Sequence, residues 1–381
     1  MMQLGRNAEA FLLLVGTIVG VGMFAIPFVF ERAGFLTGAL ELVILAAAVT
    51  IVHLAYAEVV ARTPEIHRLP GYVRLYLGRR AAWLSAASYL FGLSGALLAY
   101  VVLGGAFLGS LVSWVWPGAP AAAGPLAFYL FGVLVIFRGI RFESFTDAIL
   151  TLGLIAAILT LALTLLPTVS VTSLGGFYPE RLPIPYGVIL FSLAGAAIIP
   201  DLKRLLGGDG LRHFGRIVSA GTLVSAALYL LFAVAVVGAT GAATTPDAIS
   251  GLASRFGVPY LLLGNAIGVL ATITSFIALG VVFEGTLVSD FKVKPRPAWF
   301  VTAAIPAILY GLGFQDFIAI ISVVGAFAIG LDSILILVVH RRAAAAADHI
   351  PASRVVISAT VRATLVALFI FGVISRLSPF P

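Results

Sequence analysis

The sequence predicts an all-α polytopic membrane protein of about eleven transmembrane helices. Hydrophobic residues fill 61% of the 381 positions and charged residues only 10%, whereas soluble domains carry about 25% charged residues. Apolar runs close to the roughly 20 residues that cross a bilayer recur from the first ten residues almost to the C-terminus. One membrane domain, residues 1–381, therefore accounts for the whole chain.

The apolar runs give the order of the predicted helices. The first run has no small-residue cleavage site after it, so we interpret it as a retained helix rather than a signal peptide. The predicted spans are residues 9–30, 36–61, 83–113, 123–139, 146–166, 185–206, 216–239, 259–288, 298–313, 316–340 and 355–376. Residues 62–82 alternate Arg with apolar side chains, which predicts a short helix at the membrane interface, and the Gly- and Pro-rich residues 167–185 predict an external loop.

The net charge is +7, and the Lys and Arg residues are distributed along the chain as the positive-inside rule predicts. If the N-terminus is cytoplasmic, the 23 Lys and Arg residues fall on cytoplasmic segments with four exceptions: Arg32, Arg181, Arg255 and Arg376. We therefore expect a cell-membrane protein with a cytoplasmic N-terminus and an external C-terminus. The expected partner is the lipid bilayer, and the positive charge does not indicate nucleic-acid binding. The absence of cysteine excludes disulfides and thiol catalysis.

A short motif recurs in the first helix of each half of the chain. Residues 22–27 and residues 195–200 share the spacing Gly-x-x-x-Ile-Pro. Spans 1–5 then correspond to spans 6–10, and an odd number of spans makes the second copy enter the membrane from the opposite side. This predicts an inverted repeat of about residues 9–166 and 185–340, with an extra helix at 355–376.

Spans 1 and 6 carry residues that interrupt helices. Gly16, Gly20, Gly22 and Pro27 lie within one bilayer-crossing helix. Glycine weakens a helix and proline removes a donor, so we expect an unwound segment. Unpaired backbone groups are costly in hydrocarbon, but a half-helix N-terminus binds an anion and the opposite carbonyls bind a cation. The alternative, that these glycines only let helices pack closely, remains open.

Ionisable residues inside the membrane are costly and often functional. His53 is either a proton-relay candidate or a core histidine with satisfied hydrogen bonds. Glu58 either bonds the broken helices or carries a proton, and Glu41 and Asp332 are gate or packing residues. Four carboxylates near cytoplasmic helix ends are interpreted as ion pairs of an inner gate: Asp147, Asp201, Glu284 and Asp290.

Three stretches carry a resemblance to known families. They are residues 16–27, which begin Gly-Thr-Ile-Val-Gly-Val-Gly-Met-Phe, residues 191–202 and residues 279–292. They resemble the amino acid/polyamine/organocation superfamily, and more narrowly the aromatic and hydroxy amino acid permeases and the amino acid/auxin permeases. The resemblance implies the leucine-transporter fold, with substrate at the breaks of helices 1 and 6 and a side-chain pocket from helices 3, 8 and 10.

The resemblance also implies site residues. The substrate-binding positions would be Thr17, Gly20, Val21, Gly22, Phe191, Ser192, Leu193 and Gly195. The ligands of a sodium ion would be Gly16, Val19, Ala271, Thr274 and Ser275. One departure stands out: Ala194 and Ala196 flank Gly195, where the aromatic permeases often carry a histidine, and this leaves aromatic specificity open.

Together these features predict a secondary active transporter, a permease or symporter, of neutral amino acids, with aromatic and hydroxy amino acids among the candidates. A sodium or proton gradient would drive it, without a cofactor, and the oligomeric state is open, a monomer being sufficient. An intramembrane enzyme is disfavoured because the sequence has no His-Glu-x-x-His, Gly-x-Ser-x-Gly or phosphate-loop motif. The remaining alternative is a passive channel, or a carrier for another small organic cation or solute, although no filter-like loop is visible.

Overall fold

The protein consists of helices and connecting loops over the residues that the computed structural model describes, 5–138, 144–346 and 355–377, and no strand occurs among them. This confirms the predicted all-α class. The α-helices of these ranges are α1 (Arg6–Ile18), α2 (Gly22–Ala33), α3 (Phe35–Arg62), α4 (Leu69–Leu77), α5 (Arg79–Val115), α6 (Ala123–Phe137), α7 (Ser144–Leu165), α8 (Pro183–Ser192), α9 (Ile199–Gly210), α10 (Phe214–Thr240), α11 (Ile249–Phe256), α12 (Val258–Ser289), α13 (Pro295–Gly311), α14 (Phe317–Val323), α15 (Gly330–Ala346) and α16 (Ala359–Leu377).

The chain crosses the membrane many times. Within the described ranges, eight helical stretches are long and apolar enough to span a bilayer, and the bent pair α1–α2 makes a ninth. Helices α6 and α13, with 15 and 17 residues, fall short of the roughly 20 residues of a straight crossing. The predicted total of eleven transmembrane helices counts α6 and α13 as crossings, and it stays a prediction.

Two short helices lie between the long ones. Helix α4 confirms the short helix predicted between spans 2 and 3, and its buried side chains include Leu69 and Tyr72. Helix α11 was not predicted, because its eight residues mix Ser, Gly and Arg with only a few large apolar side chains. The predicted span 316–340 lies in one continuous helical stretch, Phe317–Ala345, which contains a π-helical segment, Val324–Ile329, between α14 and α15.

The long helices pack in two groups on either side of the site. The broken-helix group consists of α1, α2, α3, α8, α9 and α10, in which α10 packs against α1, α2 and α3, and α2 packs against α8. The wall group consists of α5, α6, α12 and α13, with α12 packed along α5. Helix α15 contacts members of both groups, α3 and α5.

Contacts sort the loops onto two faces of the bundle. On one, which we call the N-terminal face, Lys203 Nζ donates to the carbonyl oxygens of Val60 and Thr63 at 3.0 and 2.6 Å. On the opposite face, Gly175 and Gly176 accept from the first N–H groups of α3 at 3.0 and 3.1 Å. This sorting agrees with the predicted alternation of loops, while the orientation of the faces in the membrane stays a prediction.

Candidate functional site at the two helix breaks

The first break separates α1 from α2. Helix α1 ends at Ile18, α2 begins at Gly22, and the two axes differ by 51°. The N–H of Gly20 turns back to the carbonyl of Ile18 at 2.8 Å. Within the described ranges, no hydrogen bond pairs the N–H groups of Val21 and Gly22 with another main-chain group. The start of α2 therefore offers free donors and the positive end of a helix dipole.

The second break separates α8 from α9. Helix α8 ends at Ser192, and a 3₁₀ turn, Ala196–Ile198, precedes α9. Pro200 stands second in α9, where its missing N–H costs nothing because first-turn donors have no helical partner. Ala196 and Ala197 line the space beside the break, so this half-helix also presents its N-terminal end there.

The two breaks touch each other. A Cβ atom on Gly22 would lie 2.8 Å from Ser192 Cα, so only glycine allows this approach. The Tyr229 hydroxyl of α10 lies 2.5 Å from the Ile18 carbonyl oxygen and 2.8 Å from that of Ser192. A phenol has one proton to donate, so it bonds one of these carbonyls at a time and holds both ends together. Nothing local in the sequence indicates this role for Tyr229, which lies 211 positions from Ile18.

A cavity lies between the breaks and the wall group. It offers about 80 Å³ for the centres of water-sized molecules, which is room for several waters. Its walls come from the two breaks and from α3, α5, α12 and α15. The last three correspond to the predicted spans 3, 8 and 10, from which the resemblance implied a side-chain pocket. The lining includes Thr17, Gly20, Gly22, His53, Tyr56, Tyr89, Leu93, Tyr100, Phe191, Ser192, Asp332 and Ser333.

The structure places the implied substrate residues at this cavity or next to it. Thr17, Gly20, Gly22, Phe191 and Ser192 line it. The Thr17 and Ser192 hydroxyls donate to carbonyls of their own helices at 2.8 and 2.6 Å, which leaves their lone pairs to accept from a ligand. Three residues are near the cavity without lining it: Val21, Leu193 and Gly195. Their roles in binding stay predictions.

His53 braces the second break. Its Nε2 accepts from the Gly195 N–H at 3.2 Å, and its Nδ1 lies 2.9 Å from Thr222 Oγ1. An accepting Nε2 requires the proton to be on Nδ1, which donates to Thr222 in α10. The imidazole that the sequence lacks beside Gly195 thus comes from α3 instead. Both ring nitrogens are occupied, as expected for a satisfied core histidine, and its proton-relay role stays a prediction.

The implied sodium ligands are only partly brought together. Ser275 Oγ lies 3.4 Å from the Gly16 carbonyl, whereas Thr274 donates to Leu270 O at 2.9 Å in its own helix and faces a different cavity. Thr151 of α7 lies against Gly16, a neighbour that the sequence did not indicate. Val19 and Ala271 are buried beside these residues. The sodium site stays a prediction.

Glu58 lies away from the cavity, in a buried cluster. Its Oε1 accepts from Arg62 Nε at 2.8 Å, and its Oε2 accepts from Val355 N at 2.6 Å and lies 3.1 Å from His340 Nε2. The cluster joins α3 to α15 and to the residues before α16. Glu58 is therefore not bonded to the broken helices, as one interpretation of the sequence had it, and proton carriage by Glu58 stays a prediction.

Ion pairs gather on the N-terminal face. Arg68 binds both oxygens of Asp201, at 2.5 and 3.2 Å, and donates to Ala197 O at 3.1 Å, so it connects α4 to the second break. Burial lowers the pKa of Arg68 and Asp201 raises it, with a net rise, so Arg68 remains charged. Asp290 accepts from Gly71 N at 3.0 Å. The ion pair predicted for Asp201 is present, while the side chain of Asp147 lies outside the described residues.

Two comparisons with known proteins identify the family of this chain. The tryptophan/tyrosine permease family matches residues 7–377. Glutamine transporter 2 of Aliivibrio fischeri (strain ATCC 700601 / ES114) is 22% identical over 331 residues, which cover 84% of each chain. Together with the many membrane-crossing helices, these matches indicate a transporter and not an enzyme. The chain is a multi-pass amino acid transporter that belongs to the tryptophan/tyrosine permease family.

Proposed function

We propose that the protein is a secondary active transporter of neutral amino acids, driven by a sodium or proton gradient across the cell membrane. The observation that carries this proposal is the meeting of two helix breaks at a central cavity. At the first break, the N–H groups of Val21 and Gly22 have no main-chain partner within the described residues. Discontinuous helices that face a cavity at mid-membrane are typical of secondary transporters. The arrangement supports the leucine-transporter fold and the wider superfamily implied by the sequence.

The main-chain groups at the two breaks suit the two charges of an amino acid. The N–H groups at Val21 and Gly22 and the N-terminal end of α9 attract a carboxylate, since each helix start carries about half a positive charge. The carbonyls of Ile18 and Ser192, at the C-terminal ends of α1 and α8, attract an ammonium group. Backbone recognition of this kind fits any amino acid, so specificity belongs to the other walls.

The remaining walls favour an uncharged side chain. Tyr56, Tyr89, Tyr100 and Phe191 give the cavity an aromatic lining, and Leu93 adds an apolar surface. Aromatic substrates suit the family name, whereas the name of the Aliivibrio fischeri relative gives glutamine. Both are neutral, and hydroxyls on three of the lining rings can bond a hydroxyl or amide group. We therefore propose tryptophan, tyrosine and glutamine as the first substrates to test.

Alternating access follows from the two helix groups. The broken-helix group holds both sets of main-chain groups, and the wall group closes the cavity from the other side. Rocking of one against the other, with the Arg68–Asp201 pair closing the N-terminal face, would open the cavity to each side in turn. We propose that this face is cytoplasmic, and that one chain suffices because it supplies a complete cavity.

Substitution of the break glycines tests the proposal. A Cβ on Gly20 would lie 2.8 Å from the Tyr100 hydroxyl, and one on Gly195 would lie 2.8 Å from Ile18 Cγ1. Gly20→Leu and Gly195→Leu should each abolish uptake of labelled tryptophan, tyrosine or glutamine into proteoliposomes. Gly153→Leu is the matched control, because a Cβ there meets no other described residue within 4 Å, and it should transport normally.

Imposing sodium and proton gradients separately in the same vesicles identifies the driving ion. Saturable accumulation against a gradient indicates a carrier, whereas unsaturable current would indicate a channel and contradict the proposal. Normal uptake by the Gly20 or Gly195 variant would show that the assigned site is wrong.

A further inference from the structure

Asp332 in α15 is a buried carboxylate on the wall of the central cavity. The residue is 7% exposed and lines the cavity together with Ser333. Its Oδ1 has no hydrogen-bond partner within the part of the chain that the structure describes. The Ser88 hydroxyl lies beside the carboxyl group, but it has one proton to donate and also lies 3.2 Å from the Ala328 carbonyl oxygen, a competing acceptor. An unpaired carboxylate in the middle of a membrane protein is costly, so it calls for a function.

The backbone before Asp332 is arranged to aim it. The π-helical segment Val324–Ile329 ends three residues earlier. A π turn adds one residue to an α-helix and so rotates the residues after it by about 100°. The segment therefore sets which side of α15 meets the cavity. Such turns are rare and often occur at functional sites, and here the turn sits in a helix that contacts both α3 and α5.

Four cationic groups of the surrounding segments are already engaged. Arg68 binds Asp201, and Lys203 donates to main-chain oxygens of the segment after α3. His340, two turns along α15, lies against Glu58, and Arg362 of α16 donates to the Leu337 carbonyl. No Lys, Arg or His forms an ion pair with Asp332 among the described residues.

The other titratable groups that face this part of the cavity are neutral. Helix α3 contributes His53 and Tyr56, and α5 contributes Tyr89. Tyr72 of α4 packs edge-on against Tyr56 at 5.7 Å between ring centroids. His53 accepts a hydrogen bond at Nε2 and is therefore uncharged. From α16, Arg376 lies at the far end of that helix, beside its last residue. Asp332 is thus the acidic group that lines the cavity.

We propose that Asp332 is the site of the coupling proton. The carboxylate takes up one proton from the side to which the cavity is open and becomes a neutral carboxyl group. In that form the site no longer carries an uncompensated buried charge, and the loaded carrier can reorient. On the other side the substrate leaves and the carboxyl group releases its proton to water. Water that fills the emptied cavity then solvates the charged carboxylate while the carrier returns without substrate. This inference rests on the proposed transport function and selects protons as the driving ion.

The surroundings of Asp332 fit a proton better than a metal cation. A hard cation requires several oxygen ligands at once. Here the carboxylate is accompanied by the Ser88 and Ser333 hydroxyls, and Ser333 donates to Ile329 O at 2.7 Å. The other neighbours on α15 and its π-helical segment are Ile329 and Ile336. No group of three or more His, Asp or Glu side chains able to hold a metal ion occurs among the residues described.

The variant Asp332→Asn tests the proposal in proteoliposomes. It imitates the protonated carboxyl group, so proton-driven accumulation of labelled tryptophan or glutamine should fall at least about tenfold. Counterflow exchange of the same amino acid needs no net proton movement, and its half-saturating concentration should stay within about threefold of the wild type. Retained counterflow also shows that the variant folds. An infrared difference spectrum between acid and alkaline buffers should lose one carboxyl C=O band.

Glu41→Gln is the matched control. Glu41 is also buried, at 4% exposure, and its Oε2 has no hydrogen-bond partner among the described residues, but it does not line the cavity. Its variant should keep proton-driven accumulation.

Three results would overturn the proposal: full proton-driven uptake by Asp332→Asn, equal loss in Glu41→Gln, or driving by sodium alone in the wild type. A large rise in the counterflow half-saturating concentration would instead make Asp332 a substrate ligand. Failure of wild-type uptake would count against the transport function itself.

Discussion

The Tyr229 hydroxyl provides a direct test of how the two breaks are held together. Tyr229→Phe removes one oxygen that lies 2.5 and 2.8 Å from the carbonyls of Ile18 and Ser192 and leaves the ring in place. Because the phenol donates one proton, one hydrogen bond to a buried carbonyl is lost, although the Ile18 carbonyl keeps the Gly20 N–H. Such a loss costs about 1–3 kcal/mol, which corresponds to roughly a 5- to 150-fold change in an equilibrium constant.

We expect this cost to appear in substrate binding, because both carbonyls belong to the ends of half-helices at the cavity. The assay is the half-saturating concentration for counterflow of labelled tryptophan or glutamine, measured with the thermal stability of the purified protein. Tyr129→Phe is the matched control, since its hydroxyl donates to Ala303 O at 3.0 Å between α6 and α13, away from the breaks. Equal effects of the two variants on transport, or no effect of Tyr229→Phe, would refute the assigned bracing role.

Three further predictions address the surroundings of the site. His53→Ala leaves the Gly195 N–H unpaired, so the counterflow half-saturating concentration should rise by roughly 5- to 150-fold, and an unchanged value would contradict the bracing of the second break. Ser275→Ala should change driven accumulation by less than about threefold, because its oxygen is 3.4 Å from Gly16 O and bonds weaken at that distance; a lost sodium dependence would instead support the sodium site. Asp201→Asn should open the N-terminal face. A single cysteine introduced at Val281, in the cavity that Asp201 lines, should then react with a thiol reagent about 10-fold faster. The control Glu31→Gln, on the opposite face, should leave that rate unchanged.

The helices and both breaks could be predicted because their signals are local. A long apolar run specifies a membrane helix wherever it lies in the chain. Glycines at 16, 20 and 22 and the matching Gly195 and Pro200 weaken their helices whatever packs around them. The structure places the interruptions at Val19–Val21 and Leu193–Gly195, where those residues predicted them.

The contacts that brace the breaks could not be predicted, because they join distant parts of the chain. His53 meets Gly195 across 142 positions, and Tyr229 meets Ile18 across 211. A lone His or Tyr in an apolar helix carries no signal of its partner. The π-helical segment before Asp332 was missed for a related reason, since Val324–Ile329 has an ordinary apolar composition and its neighbours, α5 and α8, lie far from it in the sequence.

The position of these braces bears on how the carrier can move. His53 and Tyr229 belong to α3 and α10, which pack with the broken helices rather than with the wall group. They bond the Gly195 N–H and the carbonyls of Ile18 and Ser192, which leaves the N–H groups of Val21 and Gly22 for the substrate. When the two groups of helices shift against each other, these braces move as one with the breaks. The backbone anchor for the amino acid can then keep its geometry, while the aromatic wall from α5 changes its distance. Binding strength and access to the cavity can therefore change separately, which a carrier that must both hold and release its substrate requires.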